Sequence, residues 1–171
     1  ELRVRLVRKY GLEEATSADD LQQFLAQRFR IEIPSGELGE VLKQYENARD
    51  ELSAFIEQRD LFPMFEQQSM KIIRTPPFME PSIPAGAMLP PPAFREGERT
   101  SMVYLTLSEE LLDEHTALSI PSMMVHEGIP GHHLQLATAS LHSSTVRRHV
   151  SANDHAEGWT TMLEDYMLDV G

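Results

Sequence analysis

Seven prolines between Thr75 and Thr100 divide this 171-residue chain, because neither a helix nor an interior strand can run through them. The part before them reads as helix. Ser17-Ala18-Asp19-Asp20 has the pattern of a helix start, and Leu21, Phe24, Leu25 and Phe29 follow at helical spacing. After the break at Pro34-Ser35-Gly36, positions Leu38, Val41, Leu42, Tyr45, Ala48, Leu52 and Phe55-Ile56 trace one apolar stripe. That stripe predicts a long helix from Glu37 to about Asp60. Met70 to Arg74 is a short strand candidate, and Ser101 to Leu107 is a second that could pair with it. The stretch 75–100 between them is expected to be an ordered arm wrapping a surface. Ser108 is placed to cap a helix to about His115, and Pro121 suits the first turn of the next. Ser151 to Leu168 reads as the last helix.

The expected fold is α+β: predominantly α-helical, with a small antiparallel β element. It divides into a helical scaffold (1–68), strands and proline-rich arm (69–107), and a last group of helices (108–171). The chain opens at Glu1 without an initiator methionine and stops at Gly171 directly after an amphipathic run. It therefore reads as a single fragment of a larger enzyme.

Composition narrows the chemistry. A formal net charge of −12 leaves no basic footprint for a phosphate backbone, so nucleic acid is excluded as a partner. With no cysteine, any metal must be held by histidine and carboxylate. No apolar run approaches the ~20 residues of a membrane-spanning helix.

Those ligand types cluster at His126-Glu127-Gly128-Ile129-Pro130-Gly131-His132-His133. Zincin-type hydrolases need two histidines on one ion and a glutamate aimed at its water, usually as His-Glu-x-x-His on one helix face. On a straight helix His132 would lie ~9 Å along the axis from His126, and His133 ~10 Å, whereas zinc–nitrogen bonds are ~2.0–2.1 Å. Pro130 removes a helical hydrogen bond, and Gly131 adopts conformations closed to other residues. If Pro130-Gly131 bulges out, His132 falls where the second histidine is needed, which favours it over His133. A glycine- and proline-rich histidine stretch can also be a simple turn. The joint presence of His-Glu, Pro-Gly and His-His within eight residues weighs toward metal.

The third ligand is sought on a neighbouring helix, where Glu157 is the best candidate and His155 its rival. Asp154 or Glu164 could orient a ligand imidazole from behind.

His126-Glu127-x-x-Pro130-Gly131-His132-His133-x-Gln135, followed by Glu157-Gly158-Trp159 and Glu164, resembles the bacterial domain-of-unknown-function family 885. Arg74-Thr75-Pro76 before the arm and Tyr104 after it add to the likeness, which is strongest from about Arg74 to Asp165. Thr160-Thr161-Met162 departs from it, standing where a tyrosine is usual. The family's members look like zinc metallopeptidases related to the gluzincins. The resemblance implies zinc on His126, His132 and Glu157, Glu127 as catalytic base, and chains much longer than this one. It also implies an exported, periplasmic or lipid-anchored setting, although the compartment itself is unknown from the sequence.

The function expected is zinc-dependent peptide-bond hydrolysis in a zincin-like catalytic core, with 108–171 as the catalytic helices and Glu127 activating a water. Tyr104, His133 and His155 are the candidates for stabilising the oxyanion, and Gln135 is a further candidate for substrate or ligand support. The strand at Met102 to Leu107 could take an extended peptide at its edge. The expected partners are a peptide substrate and the missing domains of the same chain. The apolar stripes Leu38 to Ile56 and Trp159 to Val170 lack obvious partners, so the isolated fragment is expected to self-associate and be inactive. The alternative is a non-catalytic helical binding or scaffold module whose histidine-rich turn is structural or a relic.

Overall fold

The computed structural model describes residues 1–34, 36–66, 68–92, 97, 99–150 and 152–171. The architecture is α+β, with helices packed around one small sheet. Helices α1 (Leu2–Tyr10) and α2 (Ala18–Arg28) form an outlying pair joined through the rings of Tyr10, Phe24 and Phe29. Ser17 caps α2 as its sequence implies, its hydroxyl accepting from the Asp20 N–H at 3.1 Å. Helix α3 (Gly39–Arg59) buries Val41, Tyr45, Ala48 and Ile56, so its apolar stripe finds its partner inside the chain.

The sheet has the order β1-β3-β2, from β1 (Gln68–Arg74), β2 (Gly86–Leu89) and β3 (Arg99–Leu105). It is mixed, which corrects the antiparallel expectation: β1 pairs with β3 in parallel, and only β2 pairs antiparallel. A parallel pair needs a long return connection, which the arm supplies. The arm is also not wholly irregular. Its prolines leave the window between Pro84 and Pro90 free, and β2 forms there as an edge strand. Positions 93–96 and 98 of the arm lie outside the described residues, as do Ser35 of the first break and Ser151 at the start of the expected last helix. Strand β3 has neighbours on both sides, so it offers no edge for peptide addition, and the free edge near the motif belongs to β2.

After β3, residues Glu109–Glu114 form a 3-10 helix in place of the expected α-helix, and the Ser108 side chain makes no cap. Helix α4 (Ser119–Met123) runs into a π turn, Met124–Gly128. Then follow α5 (His132–Ala139), the short α6 (Thr145–His149) and α7 (Asn153–Val170). The core joins α3, the inner face of the sheet (Met70, Ile72, Val103, Leu105), the α4–π segment (Ile120, Met124, Val125) and Leu163 and Met167 of α7. The stripe of α7 is thus largely covered too, while Met162 and Leu168 remain exposed. No helix among the described residues is long and apolar enough to cross a membrane.

One buried pair makes stability depend on pH. The Tyr45 hydroxyl and His115 Nδ1 lie 2.8 Å apart inside the core. Burial lowers the His115 pKa from its ordinary 6.5, against opposing pulls from the Glu114 charge and the Thr106 backbone. The unfolded chain therefore binds this proton more readily than the native one. The stabilisation is complete above about pH 6.5 and is lost as pH falls toward and through the lower folded value. Replacing the imidazole by an amide in His115→Gln is expected to flatten the decline in stability between pH 7 and 5. Urea melts of both proteins across that range, with chelator present, measure the difference; parallel slopes would contradict it.

Candidate metal centre

Three chain segments converge at the motif. The first is the π turn, which carries one residue more per hydrogen-bonded ring than an α-helix and ends at Gly128. Ile129 then leaves the helix at φ −118°, ψ 125°, the extended backbone expected before a proline. Pro130 follows through a cis peptide bond, and Gly131 leads straight into α5 at His132. The motif is therefore a broken helix rather than a helix with a bulge. His126 sits in the last turn of one piece and His132 in the first position of the next.

Gly131 makes the break possible. A Cβ there would lie 1.9 Å from the His126 carbonyl oxygen and 2.2 Å from that of Val125. Only a residue without a side chain lets the loop fold back onto the π turn this closely. The His126 and His132 rings consequently stand 5.0 Å apart, nearly perpendicular.

Glu157, from the second turn of α7, completes the group. Its two carboxylate oxygens lie 3.5 Å from His126 Nε2 and 3.5 Å from His132 Nε2, respectively. One ligand atom from each of the three residues falls within 4.8 Å of the others. At 3.5 Å these contacts are at the outer limit of a hydrogen bond. The same spacing suits a shared ion: ligands ~2.0–2.1 Å from a tetrahedral zinc stand ~3.4 Å from one another. Two imidazoles and one carboxylate, with Glu157 largely exposed, fit zinc with a position left open. Behind His126, the Glu164 carboxylate meets Nδ1 at 2.7 Å. That contact keeps the proton on Nδ1 and leaves the Nε2 lone pair facing the cluster.

Glu127 sits half-buried beside these three residues. Burial raises its carboxyl pKa above the ordinary value and the Glu157 charge adds to this, while His132, His126 and the Met88 backbone N–H pull it down. Met88 belongs to β2, and the geometry of that strand explains the contact. The Thr106 N–H donates to the Ala85 carbonyl at 2.9 Å, so alternate residues Ala85, Ala87 and Leu89 bond inward to β3. Gly86 and Met88 accordingly turn their peptide groups to the free edge, next to Glu127.

The other candidates divide. His133 is fully buried and directed at the sheet, its Nδ1 2.6 Å from Ser101 Oγ of β3, and burial lowers its pKa to about 4. Tyr104 does not reach the cluster. Ser101, Val103 and Leu105 face the motif helices, so Tyr104 projects from the opposite face of β3. Gln135 and His155 line a separate cavity of about 230 Å³ between α5 and α7, walled by Phe62, Leu134 and Trp159. Asp154 is exposed in the first turn of α7. Sequence reasoning missed Met88, whose signal was the proline-free window, and Ser101, which had none. It expected only packing from Trp159, whose indole N–H donates to the Pro130 carbonyl at 3.1 Å.

Gly131→Ala is expected to lose the site. The clash is with backbone, so the loop must move, at a cost of about 2 kcal/mol or more in stability. Chemical denaturation and metal titration of the variant check both losses, and unchanged metal affinity would show that the close approach is dispensable.

Comparison with curated proteins found no match. Two solved structures share the fold. A lipoprotein candidate from Colwellia psychrerythraea superposes with a TM-score of 0.83 at 18% identity, over 99% of this chain and 28% of its own. A lipoprotein candidate of unknown function from Shewanella oneidensis gives 0.69 at 17% identity, over 97% of this chain and 30% of its own. The chain thus spans less than a third of each. A family model described as "Bacterial protein of unknown function (DUF885)" matches residues 5–171. The chain belongs to this family of bacterial proteins.

Proposed function

We propose that this chain carries the catalytic centre of a zinc-dependent peptidase, gluzincin-like in its His-Glu…His…Glu ligand order. The observation that carries the reading is the convergence of His126 Nε2, His132 Nε2 and the Glu157 carboxylate within 4.8 Å. Zinc held there would supply Lewis acidity, polarising a peptide carbonyl and lowering the pKa of water toward ~7.

The remaining steps fall to the protein. The Glu127 carboxylate takes the proton of the attacking water and delivers it to the nitrogen of the leaving amine, as base and then acid. The Met88 N–H orients that carboxylate from the edge strand. The outward N–H and C=O of Gly86 and the C=O of Met88 offer backbone hydrogen bonds to an extended substrate lying along β2, in place of the β3 edge expected from sequence. Glu164 holds His126 with Nε2 toward the centre.

In this reading the substrate is a peptide, and the rest of the enzyme comes from further domains of a longer chain, as in structural neighbours more than three times its length. Their description as lipoprotein candidates supports an exported or lipid-anchored setting. Residues 1–171 alone would be inactive. Their self-association would use the apolar groove of about 680 Å³ beside Leu118 and Leu168.

Two outcomes test the centre in the intact natural polypeptide. His126→Ala, His132→Ala and Glu157→Ala should each abolish stoichiometric zinc in elemental analysis, whereas His133→Ala should lose stability more than metal. Retention of full zinc by His132→Ala would refute the ligand set, and a wild-type protein without stoichiometric zinc would favour the scaffold alternative. Glu127→Gln should keep its zinc while peptide hydrolysis falls roughly 10²–10⁴-fold or more. Near-native turnover in that variant would remove Glu127 from the mechanism.

A further inference from the structure

We infer that Trp159 is a positioning residue for the second histidine, its indole N–H clamping the Pro130 loop to the helix that bears Glu157; this rests on the zinc reading above.

The two histidines are supported unequally. His126 has a carboxylate at its far nitrogen, Glu164 at 2.7 Å. His132 has no such partner: its Nδ1 is buried and makes no hydrogen bond among the described residues. Ligand imidazoles almost always donate from the second nitrogen to a group that fixes the ring. For His132 the orientation must therefore come from its backbone.

That backbone is pinned to β3 through His133 and Ser101, but it is poorly tied on the side of α7. Pro130 has no N–H, and Ile129 and Gly131 lie outside any helix. The Gln135 N–H reaches back to the Gly131 carbonyl at 3.0 Å, which secures the start of α5 but not its position relative to α7. The bond that spans this gap is Trp159 Nε1–H to the Pro130 carbonyl at 3.1 Å. Trp159 lies two residues beyond Glu157 in α7, so one helix grips the loop through its indole and meets both imidazoles through its carboxylate. The edge of Phe62, with its ring centroid 6.1 Å away, holds the indole in place. The separation of His132 from Glu157 is thus set by a fixed indole rather than by Glu157, whose own side chain is 63% exposed.

The test removes the N–H and keeps an aromatic side chain. In the intact polypeptide, Trp159→Phe should lower zinc affinity roughly tenfold to a hundredfold, the range for losing a group that orients a ligand. In the metal-free protein the amides of Gly131, His132 and His133 should exchange about tenfold faster, with β1 and β3 unchanged. Glu164→Gln is the contrast: it should weaken zinc without altering exchange in the loop. If Phe leaves a gap that unfolds the chain, benzothienylalanine at position 159 keeps the bicyclic shape without the N–H and carries the same measurements. Native zinc affinity and native loop exchange in the N–H-free protein would overturn the clamp and leave the zinc reading intact. Failure of the wild-type protein to bind zinc would sink that reading, while the exchange rates would still decide whether the indole holds the loop.

Discussion

The backbone approach at Gly131 governs the arrangement of everything around it. An α-helix carries a residue away from one six positions earlier by about 9 Å, so two imidazoles at that spacing meet only if the helix is cut and folded back. Here the cut falls at Pro130, which cannot donate to the preceding turn, and the fold-back brings Gly131 against the carbonyls of Val125 and His126. The π turn just before it adds to the effect by changing the direction in which His126 and Glu127 leave the helix. Without that close approach, His126 and His132 would be helical neighbours in name only.

A loop held so tightly needs a rigid surround, and the core provides it from two sides. Beneath lies β3, whose Ser101 hydroxyl receives His133. Beside it lies α7, whose Leu163 and Met167 are buried against the same cluster that takes Val125 and Ile129. These contacts place α7 where Glu157 and Glu164 flank His126 from two directions. The sheet contributes again through β2, whose outward-facing Met88 N–H meets Glu127. The site is thus assembled at the meeting of an edge strand, a broken helix and the last helix, and no single element contains it.

What could be read from the sequence was local, and what could not was relational. Ser17 and the stripe from Leu38 to Ile56 marked helices because capping and periodicity act within a few residues. The pairing of His126, His132 and Glu157 was legible because metal chemistry restricts which residue types can converge, and Pro-Gly showed where the backbone had to give. The direction of β1 against β3 was not legible, since residue alternation along a strand is the same whichever way its neighbour runs. The strand at Gly86–Leu89 was hidden because seven prolines crowd the arm around it, although none falls between Pro84 and Pro90. The roles of Tyr104 and His155 depended on which face of β3 and which side of α7 they occupy, and tertiary packing alone decides that.

The adjacent pair His132-His133 shows how closely site and core are joined. Successive residues at a helix start point about 100° apart, so one imidazole can face the ligand cluster while the next faces the sheet. Both are buried, but with opposite consequences. His133 is held neutral by burial and tied to Ser101, which makes it a structural peg. His132 keeps Nε2 toward Glu157 because the turn they share is pinned to β3 by its neighbour and to α7 by the Trp159 indole. A change at His133 would therefore reach the cluster through the backbone of α5, and strain at the cluster would be felt at β3. Chemistry and folding meet in one helical turn, and neither histidine can be assigned to only one of them.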